Sequence, residues 1–338
     1  MKISNIQIRN FKSIKEMDLD IKDINIFIGS NGAGKSNFIS FFKFLNYLLE
    51  DDLKYYVEKY DKPDKLLYFG LKYSSELYVR VEFIDKHFLG YTLVPTADGS
   101  SFVERGWSTS GDAIPKDPDD YKGSVFDRIK IYHFHDTTPE AKIKRPCEID
   151  DNRYLKPDGS NLAAFLYYLQ KKHIKYYERI QDTIRLVAPF FWKFELAPDK
   201  INENIIQLIW KHKDYEDVFF KVHHLSDGTL RMMCLITLLS QPELPDIILI
   251  DEPELGLHPS AITILAELLE SASVKSQVII STQSVTLINH FEPEDIVVVD
   301  FEDNQSKFKR LNSKELEIWL QDYSLGEIWE KNVIGGRP

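Results

Sequence analysis

The sequence predicts an α/β fold: a mixed, largely parallel sheet flanked by helices, with an antiparallel β meander and a small helical lobe. Three observations lead there. First, the buried-looking strand Ile24–Ile28 runs into a glycine loop and then a helix over 36–50, with Phe38, Phe41, Phe42, Leu45, Leu48 and Leu49 on one broad face. Second, helix and strand patterns alternate from residue 225: helix to 239, strand 247–250, helix 259–271, strand 277–280, helix from 284, strand 296–299. Third, the runs 77–84, 88–94 and 101–107 are strand-like with turn residues between them.

The remaining elements follow in order. Ile3, Ile6 and Ile8 alternate as a strand; Asn10 to Ile14 is a turn; Met17, Leu19 and Ile21 alternate as a second strand. Residues 51–65 are charged and tyrosine-rich, expected as a solvated helix end and loop. A polar surface loop is expected over 109–123 and a strand over 125–134. Residues 139–157 are irregular, followed by helices over 160–172 and 174–187 and strands over 194–196, 205–210 and 218–222.

Composition bounds the function. The chain has 338 residues, 43% of them hydrophobic, enough for one large or two ordinary domains. No apolar run of about 18 residues exists, so no membrane span is expected. The start of the sequence reads directly as a strand, without a signal-peptide pattern. Cys147 and Cys234 sit in no metal-ligand spacing, which favours a reducing cytoplasm. A net charge of −11 speaks against a large DNA-binding surface but leaves a local basic groove open.

Gly29-Ser30-Asn31-Gly32-Ala33-Gly34-Lys35-Ser36 matches G-x-x-x-x-G-K-[ST] without a mismatch. A strand, a glycine turn and a helix start aim a row of backbone N–H groups at one point, where the helix dipole favours anions. Asn31, Gly32, Ala33, Gly34, Lys35, Ser36 and Asn37 are therefore candidate nucleotide-binding residues. Lys35 supplies a point charge for the β- and γ-phosphates, and the Ser36 hydroxyl can ligate Mg²⁺. The bland alternative, a glycine turn with an accidental lysine, does not account for the flanking strand and helix.

A second constellation follows Ile247-Ile248-Leu249-Ile250, an apolar strand ending in Asp251 and Glu252. Such a strand delivers both acids to its C-terminal edge, where ligands bind in open α/β sheets. Strand alternation points them in different directions, so Asp251 suits the Mg²⁺ shell and Glu252 suits orienting or deprotonating the attacking water. Upstream, Leu225-Ser226-Asp227-Gly228-Thr229-Leu230-Arg231 opens a helix with Ser226 as N-cap, either an ordinary helix start or a second anion site. Downstream, Glu254 to Pro259 leads into another helix, and Ser281-Thr282-Gln283-Ser284 ends the next strand.

With these motifs in order, the chain resembles the ABC-type ATPase heads of the SMC/RecF class along nearly its whole length. It looks most like stand-alone bacterial ATPases of that class, whose relatives include the ATPase part of OLD-family nucleases and ATPases of phage-defence operons. The resemblance implies a P-loop NTPase fold of ABC-head type, with residues 29–36 as Walker A, 225–231 as signature, Asp251 and Glu252 closing Walker B, 254–259 as D-loop and 281–284 as switch loop. Ser226 and Gly228 would then touch nucleotide from a second copy, and Gln283 would act in catalysis beside Glu252 and Lys35. Asn10-Phe11-Lys12-Ser13 matches the family's N-terminal motif, which implies that Lys12 reaches the nucleotide. The cofactors implied are ATP and Mg²⁺.

What the resemblance implies for function is a cytoplasmic ATP-hydrolysing switch that forms a homodimer around two ATP molecules. Its state would pass to DNA or to a separately encoded effector, in phage defence or DNA repair. One head is expected over 1–338, with a discontinuous nucleotide-binding lobe (1–135 and 240–338) and a helical, signature-bearing lobe (136–239). The chain departs from the pattern at Asp227, where Gly is usual, and at Gln283, where His is usual. Those departures keep alive a nucleotide-gated scaffold with negligible turnover; a transporter ATPase subunit is a weaker third reading. No Q-loop glutamine is evident, and the stand-in stretch Tyr132-His133-Phe134-His135-Asp136 places two histidines where either a metal pair or a hydrogen-bonded structural cluster fits. The span between Lys35 and Ser226 holds no long coiled coil, and no nuclease segment follows the switch loop. Trp319, Tyr323 and Trp329 near residues 335–338 (Gly-Gly-Arg-Pro) are expected to pack back onto the core, with a partner-docking tail as the alternative.

Overall fold

A computed structural model describes residues 2–50, 52–110 and 129–337. The chain forms two compact units. Met1–Ile131, Pro245–Asp251 and Ser276–Pro338 make the first; Tyr132–Leu244 and Glu252–Lys275 make the second.

The first unit opens with β1 (Ile3–Phe11) and β2 (Ile14–Asp20). Alternation turns Ile3, Ile6, Ile8 and Phe11 inward, and the register sets Ile6 opposite Leu19 and Ile8 opposite Met17. β3 (Ile24–Ile28) is buried throughout and leads into the glycine loop and α1 (Lys35–Leu49). α1 is apolar over most of its circumference because it is covered on more than one side. Phe27 stacks on Phe38 with centroids 4.5 Å apart, and Phe11 meets Phe41 edge-on at 5.6 Å. Truncating one of these rings to Ala costs about 3–5 kcal/mol.

Residues 51–65 depart from the expected loop. They carry α2 (Leu53–Lys59) and α3 (Pro63–Leu66), with Tyr56 and Val57 buried. The rings of Tyr47, Tyr56 and Tyr60 pack together and against Phe44, supplying apolar area that a count of charges conceals. β4 (Leu77–Phe83), β5 (Phe88–Pro95) and β6 (Phe102–Ser110) form the meander and join the opening hairpin in one antiparallel sheet, ordered β2-β1-β4-β5-β6. Thr109 and Ser110, expected in a loop, continue β6. The rest of that loop and the start of the strand expected over 125–134 lie outside the described residues; β7 (Ile129–Tyr132) is its described part.

In the second unit, the irregular stretch 139–157 contains a short β8 (Cys147–Glu148). α4 (Leu162–Lys172) and α5 (Ile174–Val187) follow, separated at His173. β9 (Phe191–Phe194), β11 (Ile209–His212) and β12 (Tyr215–Lys221) form an antiparallel sheet ordered β12-β11-β9, while β10 (Ile205–Ile206) pairs with β8. α6 (Asp227–Ser240) is the unit's core: every residue from Met232 to Ser240 is buried. Burial pushes the Cys234 thiol well up. α7 (Pro259–Ser273) packs on α6, which is why Glu252–Lys275 groups here, whereas the sequence suggests one block over 240–338.

The chain then returns to the first unit with β13 (Ile247–Asp251), β14 (Gln277–Thr282), α8 (Val285–Ile288), β15 (Ile296–Glu302), β16 (Gln305–Arg310), α9 (Ser313–Leu316) and α10 (Leu325–Glu330). The second sheet is ordered β16-β15-β3-β14-β13-β7, with β15, β3, β14 and β13 mutually parallel. β16 is an addition to the expected pattern, joined to β15 by a two-residue turn. Asp303 (φ 50°) and Asn304 (φ 61°) hold the left-handed angles of a hairpin turn that matches strand twist. Trp329 is fully buried on the inner face of α10, as expected. Trp319 and Tyr323 do not pack back; they are partly exposed, and the single helical turn carrying Trp319 buries no residue. Among the described residues no helix is long and apolar enough to cross a membrane.

Candidate nucleotide-binding site

The phosphate loop sits at the carboxyl ends of the parallel strands of the second sheet. β3 delivers it, and its neighbours β14 and β15 flank it. Gly29 (φ 154°), Gly32 (φ 82°) and Gly34 (φ 120°) all take backbone angles that side chains rarely adopt. Two of them are also wedged in place. A Cβ on Gly29 would lie 2.2 Å from the Val299 carbonyl oxygen, and one on Gly34 would lie 2.1 Å from Ser306 Oγ. A Cβ on Gly32 would meet nothing within 4 Å, so the loop is fixed at both ends and open in the middle.

Lys35 is buried, 6% exposed, with its ammonium donating to the Gly29 and Ser30 carbonyls at 2.5 and 3.1 Å. The charge is thus already held inside the curl of the loop, next to where an anion would bind. Ser36 is exposed at the helix start, Ala33 and Gly34 are buried, and Asn31 faces solvent. Asn37 turns toward the opening hairpin and donates to Ser13 Oγ at 2.7 Å.

Asp251 closes β13 and lies in register with Ser281 at the end of β14, whose hydroxyl donates to its carboxylate. Gln283 follows on the same strand end and donates through Nε2 to Asn31 Oδ1 at 2.9 Å. Loop, Asp251, Ser281 and Gln283 therefore meet at one sheet edge within the first unit. Glu252, the next residue along the chain, has φ 43°, a left-handed angle at a non-glycine residue. Such strain costs about 1–3 kcal/mol and concentrates at functional positions. Lys12 takes another course: its ammonium pairs with Asp61 at 3.0 Å.

Ser226 and Gly228 belong to the second unit. Ser226 caps α6, its Oγ accepting from Thr229 N at 3.2 Å. Gly228 is required by close approach: a Cβ there would lie 2.4 Å from the Gly256 carbonyl oxygen. Arg231 fixes the same surroundings, donating to the carbonyls of Leu255 at 2.9 Å and His135 at 2.8 Å. The unusual Asp227 is paired with a cation. Lys144 Nζ reaches its carboxylate at 3.1 Å and lowers its pKa, chiefly through that hydrogen bond. The rings of His133 and His135 are 6.4 Å apart, and the described residues contain no group of three or more potential metal ligands.

Sequence reasoning missed Ser306. It is fully buried on β16, donates to the Ala33 carbonyl at 2.6 Å, and lies 2.6 Å from Ser13 Oγ. Its backbone N–H also donates to the Ser13 carbonyl at 2.8 Å. The phosphate loop is thus tied by hydroxyls to both hairpins. The available signal was Asn304, a turn residue that could have announced the β15–β16 hairpin.

Solved structures share this architecture. The SMC head bound to the C-winged helix domain of ScpA is 16% identical, with a TM-score of 0.68 over 94% of this chain and 100% of that one. The Pyrococcus furiosus SMC head with an extended coiled coil, bound to the C-terminal domain of ScpA, is 14% identical with a TM-score of 0.59 over 95% and 99%. The Thermotoga maritima SMC head is 16% identical with a TM-score of 0.51 over 92% and 100%. Likeness at this identity shows the fold. A "Putative ABC transporter ATP-binding protein" from Methanosarcina acetivorans is 29% identical over 112 residues, which is 31% of this chain and 38% of that protein's length. The family model described as "AAA domain, putative AbiEii toxin, Type IV TA system" matches residues 24–289. The chain belongs to that family, a P-loop ATPase with an SMC-head-like fold.

Proposed function

We propose that this protein is an ATP-hydrolysing switch whose two copies close around two ATP molecules. Each nucleotide would lie between the loop 29–36 of one copy and the segment 225–231 of the other, with Ser226 and Gly228 as the contacts from that second copy. The two units would serve as nucleotide lobe and signature lobe of one head. The observation that carries this reading is the meeting of Lys35, Asp251, Ser281 and Gln283 at one sheet edge.

The residues divide the work as follows. The loop N–H groups and Lys35 bind the phosphates, Lys35 exchanging its carbonyl partners for phosphate oxygens. Ser36 and Asp251 would hold Mg²⁺, which neutralises charge between the β- and γ-phosphates when bound. Glu252 orients the attacking water and accepts its proton. Gln283 can hydrogen-bond the terminal phosphate or that water but cannot become cationic. Lys12 reaches the nucleotide only by leaving Asp61. Asp227 is tolerable beside a phosphate because Lys144 offsets its charge.

Hydrolysis would open the pair and pass its state to a separately encoded effector, in phage defence or DNA repair. A protein partner is favoured by the two SMC-head structures that hold ScpA domains. DNA is the second candidate, and the net charge of −11 argues against it. The cytoplasm is the proposed location. A nucleotide-gated scaffold with negligible turnover is the alternative, favoured by the exposed carboxylate of Asp227 in the signature position. Phosphate release measured across protein concentration separates the two. A switch shows activity per protomer that rises as copies associate; a scaffold shows almost none at any concentration.

A further inference from the structure

The segment 325–337 has no part in the site described so far, yet it is built against it. At one end, α10 is bolted to α8, the helix that follows Gln283. Gly326 N donates to Asn289 Oδ1 at 2.6 Å, and a Cβ on Gly326 would lie 2.6 Å from Val285 Cγ1. At the other end the chain turns through Gly335 (φ 80°) and Gly336 (φ 60°). There the Trp329 indole N–H donates to the Gly336 carbonyl at 2.6 Å, and Gly336 N donates to Asp300 Oδ1 at 2.8 Å.

These contacts press Gly336 onto the phosphate loop. A Cβ at Gly336 would lie 3.3 Å from Gly29 Cα and 2.7 Å from Val298 Cγ1, so only glycine fits without displacement. Gly29 is the residue whose carbonyl receives the Lys35 ammonium. One residue further along stands Arg337, exposed and engaged in no ion pair among the described residues. A buried tryptophan, two left-handed glycines and a carboxylate thus combine to hold Gly336 against the loop, and the residue bonded to it is a cation.

We propose that residues 335–337 form a wall of the nucleotide site: Gly336, held by Trp329 and Asp300, positions Gly29, and Arg337 binds the phosphates of a nucleoside triphosphate. This rests on the reading of 29–36 as the nucleotide loop. A guanidinium suits the task because its planar fork pairs with two phosphate oxygens at once.

The test is the affinity of the full-length protein for a fluorescent ATP analogue with Mg²⁺, beside thermal melting without nucleotide. Arg337→Ala is expected to weaken binding on the order of tenfold, the loss of a charge-assisted contact. Its nucleotide-free Tm stays at the wild-type value, and Arg337→Lys recovers part of the affinity. Trp329→Phe, which keeps the apolar ring and removes the N–H, is expected to weaken binding several-fold through Gly336. If Arg337→Ala binds as tightly as wild type while Lys35→Ala binds clearly more weakly, the wall is refuted and the nucleotide loop stands. If Lys35→Ala binds normally, the nucleotide-loop reading fails and the wall falls with it.

Discussion

The phosphate loop and the segment 225–231, proposed as the signature, are both helix starts with a glycine at a close approach, but they are finished differently. The loop 29–36 is gripped at Gly29 by Val299 and at Gly34 by Ser306, and its lysine is buried. The segment 225–231 is anchored underneath by Gly228 and Arg231, while Ser226 and Asp227 remain exposed. One region is complete within its own unit. The other presents an N-cap and a lysine-paired acid outward. That contrast is what a composite site shared between two copies needs: a rigid receiver and an exposed donor. On the proposed reading, it would also separate residues that decide binding from residues that decide turnover.

Four substitutions sharpen or break the contrast, from the largest effect to the smallest. Glu252→Gln keeps the shape and removes the base, so kcat should fall by roughly 10²–10⁴-fold with ATP affinity retained. A turnover assay at saturating Mg-ATP checks it, and retained turnover would remove Glu252 from the chemistry. Lys35→Ala should weaken ATP binding by roughly 10- to 100-fold in a single copy, since charged hydrogen bonds to phosphate contribute most there. Equilibrium titration at dilution measures it.

Ser306→Ala should destabilise the protein by about 1–3 kcal/mol, because the buried Ala33 carbonyl loses its donor. Chemical denaturation reads that change, and an unaltered midpoint would mean the loop does not depend on the hairpin. Lys144→Ala removes the cation closest to Asp227, whose carboxylate is 58% exposed, and a pair with one partner in solvent contributes about 1 kcal/mol. ATP affinity of the isolated chain should not change, whereas turnover in concentrated solution should fall a few-fold. Equal losses in both would place Asp227 outside a shared site.

How much of this was legible in the sequence depended on whether the information was local. The loop, α1 and the acid-ended β13 are contiguous, and their periodicity and glycine spacing state what they are. The parallel sheet followed from helix–strand alternation. Residues 51–65 are misread because tyrosines carry their apolar area under a polar label, and Tyr56 is buried among the rings of Phe44, Tyr47 and Tyr60, which a count of charges passes over. For Ser306 the turn residue Asn304 announces the hairpin but not the contact, and for Gly336 the partner is equally out of sight. Each acts through a contact with the phosphate loop more than 270 residues away in the chain, and no local pattern reports it. Gly228 could be read as an anion contact, and its close approach to Gly256 supplies a packing reason of its own.

The central claim is that ATP joins two copies. It is tested most directly by light-scattering mass of Glu252→Gln with Mg²⁺, with and without ATP. On the proposed reading, that variant binds nucleotide and stalls before the water step. The account predicts a monomer that becomes a dimer only when ATP is added. A mass indifferent to ATP would contradict it, and the exposed signature segment would then need a different occupant.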